Sequence, residues 1–276
     1  MRFSKTAILV VLYNEMPPEY IRNYHCCYVI LVDNTPDRNL NVSGNSIYYI
    51  PLMKNFGIAY ALNVGFQKAK SLGVEWVLTM DQDSDLPSDM ISKYHEVVSM
   101  QLERFGLLCP KMNIYKGQGN KPNNSIEVVD YALTSGSFVS MKAYEEVGGF
   151  KNELFIDSVD FEFCLNLRAH GYLLYRVGNV LMQHQLGNTH EYKLFGRHLF
   201  YITNHNYIRH YYMTRNNLYI HYKYPQYFKN KSGKPSWKTI IKLVLFEKDV
   251  TRKLKAIKLG IKDFHDHRFG EFTHII

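Results

Sequence analysis

Apolar segments and segments with helical spacing alternate along the first hundred residues. Four short apolar segments predict strands: residues 6–13 and 28–33, which we expect to be buried, a weaker one at residues 46–52, and a fourth at residues 75–80. Three further segments predict helices: residues 17–24, 57–72 and 87–102. This alternation predicts an α/β fold with a mostly parallel central sheet covered by helices. In such sheets the ligand binds at the carboxyl ends of the strands.

The second half of the chain mixes both kinds of pattern. Strands are predicted at residues 125–131, 136–141, 172–177 and 180–184. Short helices are predicted at residues 142–147 and 159–170. Residues 236–262 form one long basic segment with apolar positions at helical spacing. We therefore expect one domain at residues 1–220 and a helical extension at residues 221–276.

Composition places the chain among globular proteins. Of its 276 residues, 46% are hydrophobic and 21% are charged, which excludes disordered and collagen-like chains. The four cysteines form no CxxC pair, so we expect reduced thiols rather than a zinc site or a disulfide framework. No window of about 18 residues is apolar throughout, and the N-terminus lacks a signal-peptide pattern. These features predict a cytoplasmic protein without a membrane span.

The net charge of +8 is concentrated at one end of the chain. Residues 1–220 hold 20 basic and 20 acidic side chains, whereas residues 221–276 hold 13 basic and 5 acidic ones, an excess of 8. A neutral body with a basic tail predicts a polyanionic partner. An anionic membrane surface is favoured over nucleic acid, because no nucleic-acid-binding motif accompanies the charge.

Polar and acidic residues follow three of the predicted strands at their carboxyl ends. Asn14 and Glu15 follow the first strand, and Asp33 ends the second. Asp81 and Asp83 follow the fourth strand directly. Because the ends of parallel strands meet at one edge, we expect these side chains to converge where a ligand binds.

The Asp81-Gln82-Asp83 motif has three interpretations. Two carboxylates one residue apart suit a divalent cation that also holds a diphosphate. A solvated turn with helix-capping acids is the simpler alternative. A calcium loop is disfavoured, since Leu86 stands where that loop needs glycine and Ser92 where it needs a bidentate glutamate.

A second acidic cluster precedes the helix predicted at residues 159–170. Asp157 suits a helix-capping role, whereas Asp160 and Glu162 are embedded among apolar residues. A carboxylate among apolar groups is a candidate general base. His184 ends a predicted strand, where it is either structural or a third metal ligand.

Taken together, these motifs resemble the family-2 glycosyltransferases of GT-A fold, and within them the bacterial rhamnosyltransferase-like branch. The resemblance extends from about Ala7 to Asn216. The motifs that carry it are VVLYNE (10–15), LVDN (31–34), KNFGIAYALNVG (54–65), LTMDQDS (78–84), TSGSFVSMKAYEEVGGF (134–150), FIDSVDFEFCLNLRAHGY (155–172), MQHQLG (182–187) and YYMTRNN (211–217). Their order and spacing are far more specific than the DxD motif alone.

The resemblance implies roles for individual residues. The nucleotide-sugar donor is bound by the ends of the first two strands and by a loop and helix beside them: Tyr13, Glu15, Asp33, Asn55, Gly57 and Asn63. Asp81 and Asp83 match the metal and ribose–diphosphate motif, and His184 matches a metal-binding histidine found in several members. Mn²⁺ or Mg²⁺ is therefore the implied cofactor. Arg215 and Asn216 match an Arg-Asn pair near the donor or acceptor.

The same resemblance implies that Asp160 is the general base. The sequence departs from the related galactofuranosyltransferases, which carry a double aspartate before the base where this chain has Val159. Asp157 instead fits the rhamnosyltransferase-like variant. Which of Asp157, Asp160 and Glu162 touches the acceptor stays open at this point.

The expected activity is inverting, metal-dependent transfer of L-rhamnose from dTDP-rhamnose to a cell-surface glycan or a lipid-linked acceptor. UDP-galactose, UDP-galactofuranose and UDP-glucose are alternative donors. A sugar-phosphate nucleotidyltransferase is a rival, but the loop after the first strand has no glycine or lysine. A non-catalytic module that binds membrane surfaces is a further rival.

The basic segment at residues 236–262 has two interpretations. It is either a helix that packs on the core with a solvated basic face, or an interfacial helix on anionic lipid. The second interpretation predicts a peripheral protein on the inner face of the bacterial cytoplasmic membrane.

Overall fold

The computed structural model describes residues 5–23, 27–113, 121–183, 190–194, 197–202, 204–229 and 232–276. Two compact units make up the chain. The first comprises Met1–Phe155 and Val159–His184, and the second comprises Ile156–Ser158 and Gln185–Ile276. The boundary predicted at residue 220 falls inside helix α5, Tyr207–Lys223.

An eight-stranded mixed sheet forms the centre of the first unit, in the order β3-β2-β1-β4-β7-β5-β8-β6. The strands are β1 Thr6–Leu12, β2 Tyr28–Asp33, β3 Ile47–Pro51, β4 Trp76–Asp81, β5 Phe105–Asn113, β6 Ile126–Val129, β7 Ser137–Ser140 and β8 Leu173–Gln183. Strands β3, β2, β1 and β4 are mutually parallel, and β5 is parallel to β8. Strands β6 and β7 are antiparallel to their neighbours. The α/β fold with a mostly parallel sheet at the predicted nucleotide-binding half is therefore confirmed.

Four helices cover this sheet, namely α1 Ile58–Ser71, α2 Met90–Ser99, α3 Met141–Glu146 and α4 Val159–Ala169. The apolar stripe of α1 is buried on β1, where Gly65 allows a close approach. A Cβ atom at Gly65 would lie 2.2 Å from Leu9 Cδ1. Helix α2 buries Tyr94, whose hydroxyl donates to the Gly136 carbonyl and whose ring stacks on Phe138. One continuous apolar cluster therefore joins α2 to the face of the sheet formed by β1, β2 and β4.

In the first unit, three features of the strands and helices differ from the prediction. Where a helix was predicted at residues 17–24, the described residues form a short 3₁₀ helix, Glu19–Asn23. The two strands predicted at residues 172–184 are one strand, β8, whose pairing with β5 shifts register beside Pro110. Strand β5 was not predicted, and its pairing with β8 contains two register shifts.

The second unit contains helices α5 Tyr207–Lys223, α6 Trp237–Phe246 and α7 Val250–His265, with a two-stranded antiparallel sheet of β9 His190–Leu194 and β10 Arg197–Ile202. Helix α7 lies against α5 at Gly260, where a Cβ atom would approach Tyr211 O to 2.7 Å. The long segment predicted at residues 236–262 is thus two helices. They are separated at Asp249, which has a left-handed φ of 56°.

None of the helices among the described residues is long and apolar enough to cross a bilayer. Three cysteines in the described part of the chain, Cys27, Cys109 and Cys164, are buried free thiols, as the sequence predicts.

Candidate active site

The carboxyl ends of β2, β1 and β4 lie side by side at one edge of the sheet. Strand β1 pairs in parallel with both neighbours, so that Leu12 aligns with Asp33 and Val11 aligns with Asp81. The strand order also reverses direction here, from β3-β2-β1 to β4, which makes this edge a topological switch point. The predicted convergence of the three strand ends is confirmed.

Asp33 is fully buried at the end of β2, and protein groups surround its carboxylate. Arg38 Nε and Nη2 donate to it at 2.7 and 2.8 Å, and the Tyr49 hydroxyl donates at 2.7 Å. Burial raises the pKa of Asp33, but hydrogen bonds from Arg38, Tyr49 and Thr35 outweigh burial and lower that pKa below its ordinary value. The ionised carboxylate therefore orients Arg38 at the sheet edge, and its own surface is closed to a ligand.

The loop that precedes α1 is fixed to the end of β2 by two asparagines. Asn34 Nδ2 donates to Asn55 Oδ1 at 2.9 Å, and Asn34 Oδ1 accepts from the Phe56 amide at 2.8 Å. The amide of Gly57 donates to Asn55 Oδ1. Gly57 has a φ of 86°, and a Cβ atom there would lie 2.5 Å from the Phe155 carbonyl oxygen. Only glycine fits this position, so the sequence fixes the path of the loop.

The loop after β1 is tied to the DxD segment. The Tyr13 amide donates to Gln82 Oε1 at 2.7 Å, and Gln82 Nε2 donates back to the Tyr13 carbonyl at 3.2 Å. The Tyr13 side chain is 44% exposed, and Glu15 is also exposed. Both predicted donor-binding residues therefore present their side chains to solvent beside the switch point.

Asp81 and Asp83 lie together with Asp160 at the end of β4. Burial, followed by the nearby charges of Asp83 and Asp160, raises the pKa of Asp81 to about 6. The Asp81 amide is held by Ser135 Oγ at 3.1 Å, while the Asp83 side chain is exposed. The two carboxylates of the DxD motif therefore differ in environment: Asp81 is close to the charges of Asp83 and Asp160, whereas Asp83 is exposed.

Asp160 is half-buried in the first turn of α4. The Tyr131 hydroxyl donates to Asp160 Oδ2 at 2.6 Å, and the Phe161 amide donates to Oδ1 at 2.8 Å. Burial and then the charge of Asp160 raise the pKa of Tyr131, so this hydroxyl stays protonated as a donor. Glu162, by contrast, is 1% exposed. Of these two carboxylates, Asp160 has the access that a base acting on an acceptor needs.

Asp157 lies in the second unit and forms a bidentate ion pair with Arg209, whose Nε donates to Oδ2 at 2.7 Å. Asn216 Nδ2 donates to the carbonyls of Ile156 and Asp157 at 2.7 and 2.9 Å. Asp157 and Ser158 both have left-handed φ values, 61° and 60°. These contacts hold a strained segment in place and occupy the Asp157 carboxylate with an internal partner.

Two other predicted donor-binding residues are enclosed by protein groups. Arg215 is fully buried in the second unit, where Nη1 donates to the Gly270 carbonyl at 2.9 Å. Asn63 donates to the Phe150 carbonyl and Asn152, and it accepts from the Tyr144 hydroxyl and the Phe150 amide. Those four bonds use the whole hydrogen-bonding capacity of the Asn63 side chain. Both residues therefore maintain the local structure, and we omit them from the proposed donor contacts.

Of the three predicted metal ligands, Asp81 and Asp83 lie in the described part of the chain. His184 lies outside the described residues. Among the side chains that the structure does describe, no group of three His, Cys, Asp or Glu residues could hold a metal ion. Mg²⁺ is commonly bound by one or two carboxylates together with substrate phosphates and water, and Asp81 with Asp83 offers such a set. Burial, and then the charges of Asp83 and Asp160, raise the pKa of Asp81 to about 6, so a bound cation would favour its ionised form.

A large cavity of about 810 Å³ lies at the opposite end of β4. Trp76, Phe105 and Tyr172 line it, together with charged side chains of α3. Trp76 begins β4 and Asp81 ends it, so roughly 17 Å of strand separates this cavity from the carboxylates. The cavity is therefore remote from the edge at which the predicted polar residues converge.

Sequence reasoning missed Arg38 and Tyr131, which orient Asp33 and Asp160. Arg38 is only five residues after Asp33, so a search for an opposite charge near that strand end could have found it. Tyr131 follows β6 and reaches Asp160 across 29 positions of sequence. No local pattern marks such a contact.

Comparison with known proteins gives the class of protein. No protein-family model matches the chain. The curated dTDP-rhamnosyl transferase RfbF of Shigella flexneri is 29% identical to it over 215 residues, which cover 69% of this chain and 69% of that protein. This relative confirms the resemblance to the rhamnosyltransferase-like glycosyltransferases, and the protein is accordingly an enzyme, a glycosyltransferase.

Two solved structures show a more distant likeness. The crystal structure of GalNAc-T7 with UDP, GalNAc and Mn²⁺ has a TM-score of 0.49 and 12% identity, covering 96% of this chain and 58% of the other. Staphylococcus aureus TarS 1–349 in complex with UDP has a TM-score of 0.49 and 13% identity, covering 95% of this chain and 72% of the other. At these values the likeness says nothing about substrate or chemistry.

The Asp33 pair predicts a pH-dependent contribution to stability. Asp33→Asn should lower the free energy of unfolding near neutral pH by on the order of 3 kcal/mol, because Arg38 loses its charged partner. A carboxyl with a depressed pKa stabilises the fold above the unfolded-state pKa and stops doing so as the pH falls through the folded-state pKa. The gap in the free energy of unfolding between wild type and variant should therefore narrow once the pH falls below 3.8, the ordinary pKa of an aspartate side chain.

Urea unfolding of both proteins at several pH values measures this gap. Asp37→Asn is the matched control, since Asp37 is an exposed carboxylate in the same loop. A gap that stays constant from neutral to acidic pH would contradict the ionised state of Asp33.

Proposed function

We propose that the protein is an inverting glycosyltransferase that moves L-rhamnose from dTDP-rhamnose to a hydroxyl of a cell-surface glycan or lipid-linked acceptor. The observation that carries this proposal is the grouping of Asp81 and Asp83 with Asp160 at the switch point of the sheet. The donor is suggested by the similarity to the dTDP-rhamnosyl transferase. UDP-galactose, UDP-galactofuranose and UDP-glucose are the alternatives.

The nucleotide half of the donor is proposed to occupy the edge formed by β1 and β2. Tyr13 offers an exposed ring for stacking on the base, and Glu15 offers an exposed carboxylate for ribose hydroxyls. Asn55 and Gly57 shape the wall of this edge, and the buried Asp33 acts through Arg38. With the nucleotide at this edge, the sugar–diphosphate part of the donor would lie at the end of β4.

Mn²⁺ or Mg²⁺ is proposed to be held by Asp83 and Asp81 together with the donor diphosphate, with His184 as the further ligand suggested by the resemblance. When bound, the cation neutralises charge on the leaving diphosphate. Asp83 is exposed and Asp81 is half-buried, so the pair can offer oxygen ligands on the side that faces solvent.

Asp160 is proposed as the general base. The acceptor hydroxyl gives its proton to an Asp160 carboxylate oxygen while its oxygen bonds to the anomeric carbon, and the bond from that carbon to the diphosphate breaks. The electron pair of the broken bond leaves with the diphosphate. Tyr131 and the Phe161 amide hold the two carboxylate oxygens in place. One displacement inverts the anomeric centre and needs no covalent enzyme intermediate.

The acceptor is proposed to lie at the inner face of the cytoplasmic membrane. This part of the proposal is supported by the +8 charge of residues 221–276, which suits an anionic surface. An enzyme held at that surface would meet a lipid-linked acceptor there.

Donor choice is tested by thermal unfolding with dTDP-rhamnose, UDP-galactose, UDP-galactofuranose and UDP-glucose, each with Mn²⁺. A ligand at about 100 times its Kd adds about 2.7 kcal/mol of stability, a shift of about 5 °C or more for a chain of this size. We expect the largest shift with dTDP-rhamnose, and sugar transfer from that donor alone. If only UDP-sugars raise the unfolding temperature, the proposed donor is wrong and a UDP-sugar takes its place. If no nucleotide-sugar raises it, nucleotide-sugar binding is contradicted.

Substitution of the base should separate donor binding from catalysis. Asp160→Asn keeps the shape of the side chain but cannot accept the acceptor proton. Transfer should fall by roughly two or more orders of magnitude while the thermal shift with donor is kept. Asp85→Asn, an exposed acid of the same loop region as the DxD motif, is the control and should stay active. An active Asp160→Asn beside an inactive but folded Asp157→Asn or Glu162→Gln would identify a different base.

Removal of a metal ligand should affect diphosphate binding as well as turnover. Asp83→Ala should abolish transfer and weaken nucleoside-diphosphate binding in Mn²⁺, because a carboxylate ligand is lost. Calorimetric titration of dTDP with and without EDTA measures this, with Asp85→Ala as the matched control. Full activity of Asp83→Ala in EDTA would refute the metal proposal.

A further inference from the structure

Helix α6 exposes an apolar face to solvent. Only Leu243 of its ten residues is buried. Trp237 is 69% exposed and Leu245 is 66% exposed, while Ile241 and Val244 are each nearly half exposed. Positions 237, 241, 244 and 245 follow helical spacing, so these four side chains share one face, here called the α6 face.

Charge around the α6 face is basic. The helix contains no acidic residue, and Lys238 with Lys242 lies along one flank of the face. Lys234 precedes the helix and Lys248 follows it, and all four lysines are exposed. This arrangement complements a surface that carries negatively charged groups over an apolar layer.

Glu247 directly follows α6, but its carboxylate is engaged inside the unit and does not neutralise the lysines around the α6 face. Lys253 Nζ lies 2.8 Å from Glu247 Oε2, and His210 Nε2 lies 3.2 Å from the same oxygen. Lys253 is 2% exposed, so this ion pair is internal. The pair anchors the end of α6 to α5 and α7, with Leu243 as the inward contact.

The neighbouring helix α7 has no equivalent face. Its apolar positions Ala256 and Ile257 are buried, and Gly260 lies against the α5 backbone. The single basic pattern predicted at residues 236–262 therefore combines two functions. Helix α7 packs within its unit, and α6 is the part left open.

We propose that the α6 face is a docking site for anionic lipid, which deepens the membrane association in the proposed function. Ten residues span about 15 Å, too short to cross a bilayer, so the helix lies in the plane of the interface. Trp237 suits the boundary between headgroups and acyl chains. A second copy of the chain is disfavoured as the occupant, because pairing two such faces would bring their lysines together.

The experiment measures co-sedimentation of the full chain with vesicles. We expect binding to phosphatidylcholine mixed with phosphatidylglycerol and little binding to phosphatidylcholine alone. Trp237→Ser with Leu245→Ser should lower the partition coefficient by at least tenfold. Lys238→Gln with Lys242→Gln should lower it about fivefold per lysine. Raising NaCl from about 0.1 to about 1 M shortens the Debye length from about 10 to about 3 Å and should weaken the lysine-dependent part.

Two controls match these variants elsewhere on the surface. Met100→Ser removes an apolar side chain that is 58% exposed, and Lys142→Gln removes a lysine that is 82% exposed. Both should bind vesicles like wild type. Circular dichroism and thermal unfolding verify that every variant is folded.

Three outcomes would overturn the proposal. They are absence of vesicle binding by the wild-type chain, unchanged binding by the folded α6 variants, and self-association that these variants abolish without vesicle binding. Donor-induced thermal shifts are measured on the same samples without lipid. Loss of lipid binding with intact donor binding, or the reverse, thus distinguishes failure of this inference from failure of the proposed function.

Discussion

The parallel pairing of β1 with both β2 and β4 is the constraint on which the site depends. The residues of β1 are buried throughout, so the register of the three strands is set by the core. That register places the last residues of β1 beside Asp33 on one side and Asp81 on the other. The ligand edge is thus a consequence of apolar burial, and its polar groups are positioned before any ligand arrives.

Burial and like charge act together on Asp81 at this edge. Burial is the larger cause of its raised pKa, and the nearby charges of Asp83 and Asp160 add to it. In the proposed function, a cation with a diphosphate would relieve the repulsion between these carboxylates at one end of the cluster, and proton uptake by Asp160 would relieve it at the other. Binding and catalysis in our account therefore draw on the same electrostatic imbalance, with Tyr131 keeping Asp160 oriented.

The sequence predicts the nucleotide-binding half well because its signals are local. The run at residues 28–33 is continuous and apolar, and it coincides with β2. At Gly57 the backbone passes so close to the Phe155 carbonyl that no residue with a side chain fits. Other features depend on long-range contacts, such as the enclosure of Arg215 and Asn63, the Asp157–Arg209 pair, and the orientation of Asp160 by Tyr131. The different fates of α6 and α7 likewise depend on which helix meets α5, because both carry an apolar stripe.

A crystal structure with dTDP and Mn²⁺ bound would test the central claim most directly. We predict electron density for Mn²⁺ at the Asp83 carboxylate, with the diphosphate beside it and the thymine base against the edge formed by Tyr13. The Asp160 carboxylate should face the side from which an acceptor would approach, with its contact to Tyr131 kept. Density for the nucleotide in the cavity beside Trp76, or a diphosphate remote from Asp81 and Asp83, would contradict the account.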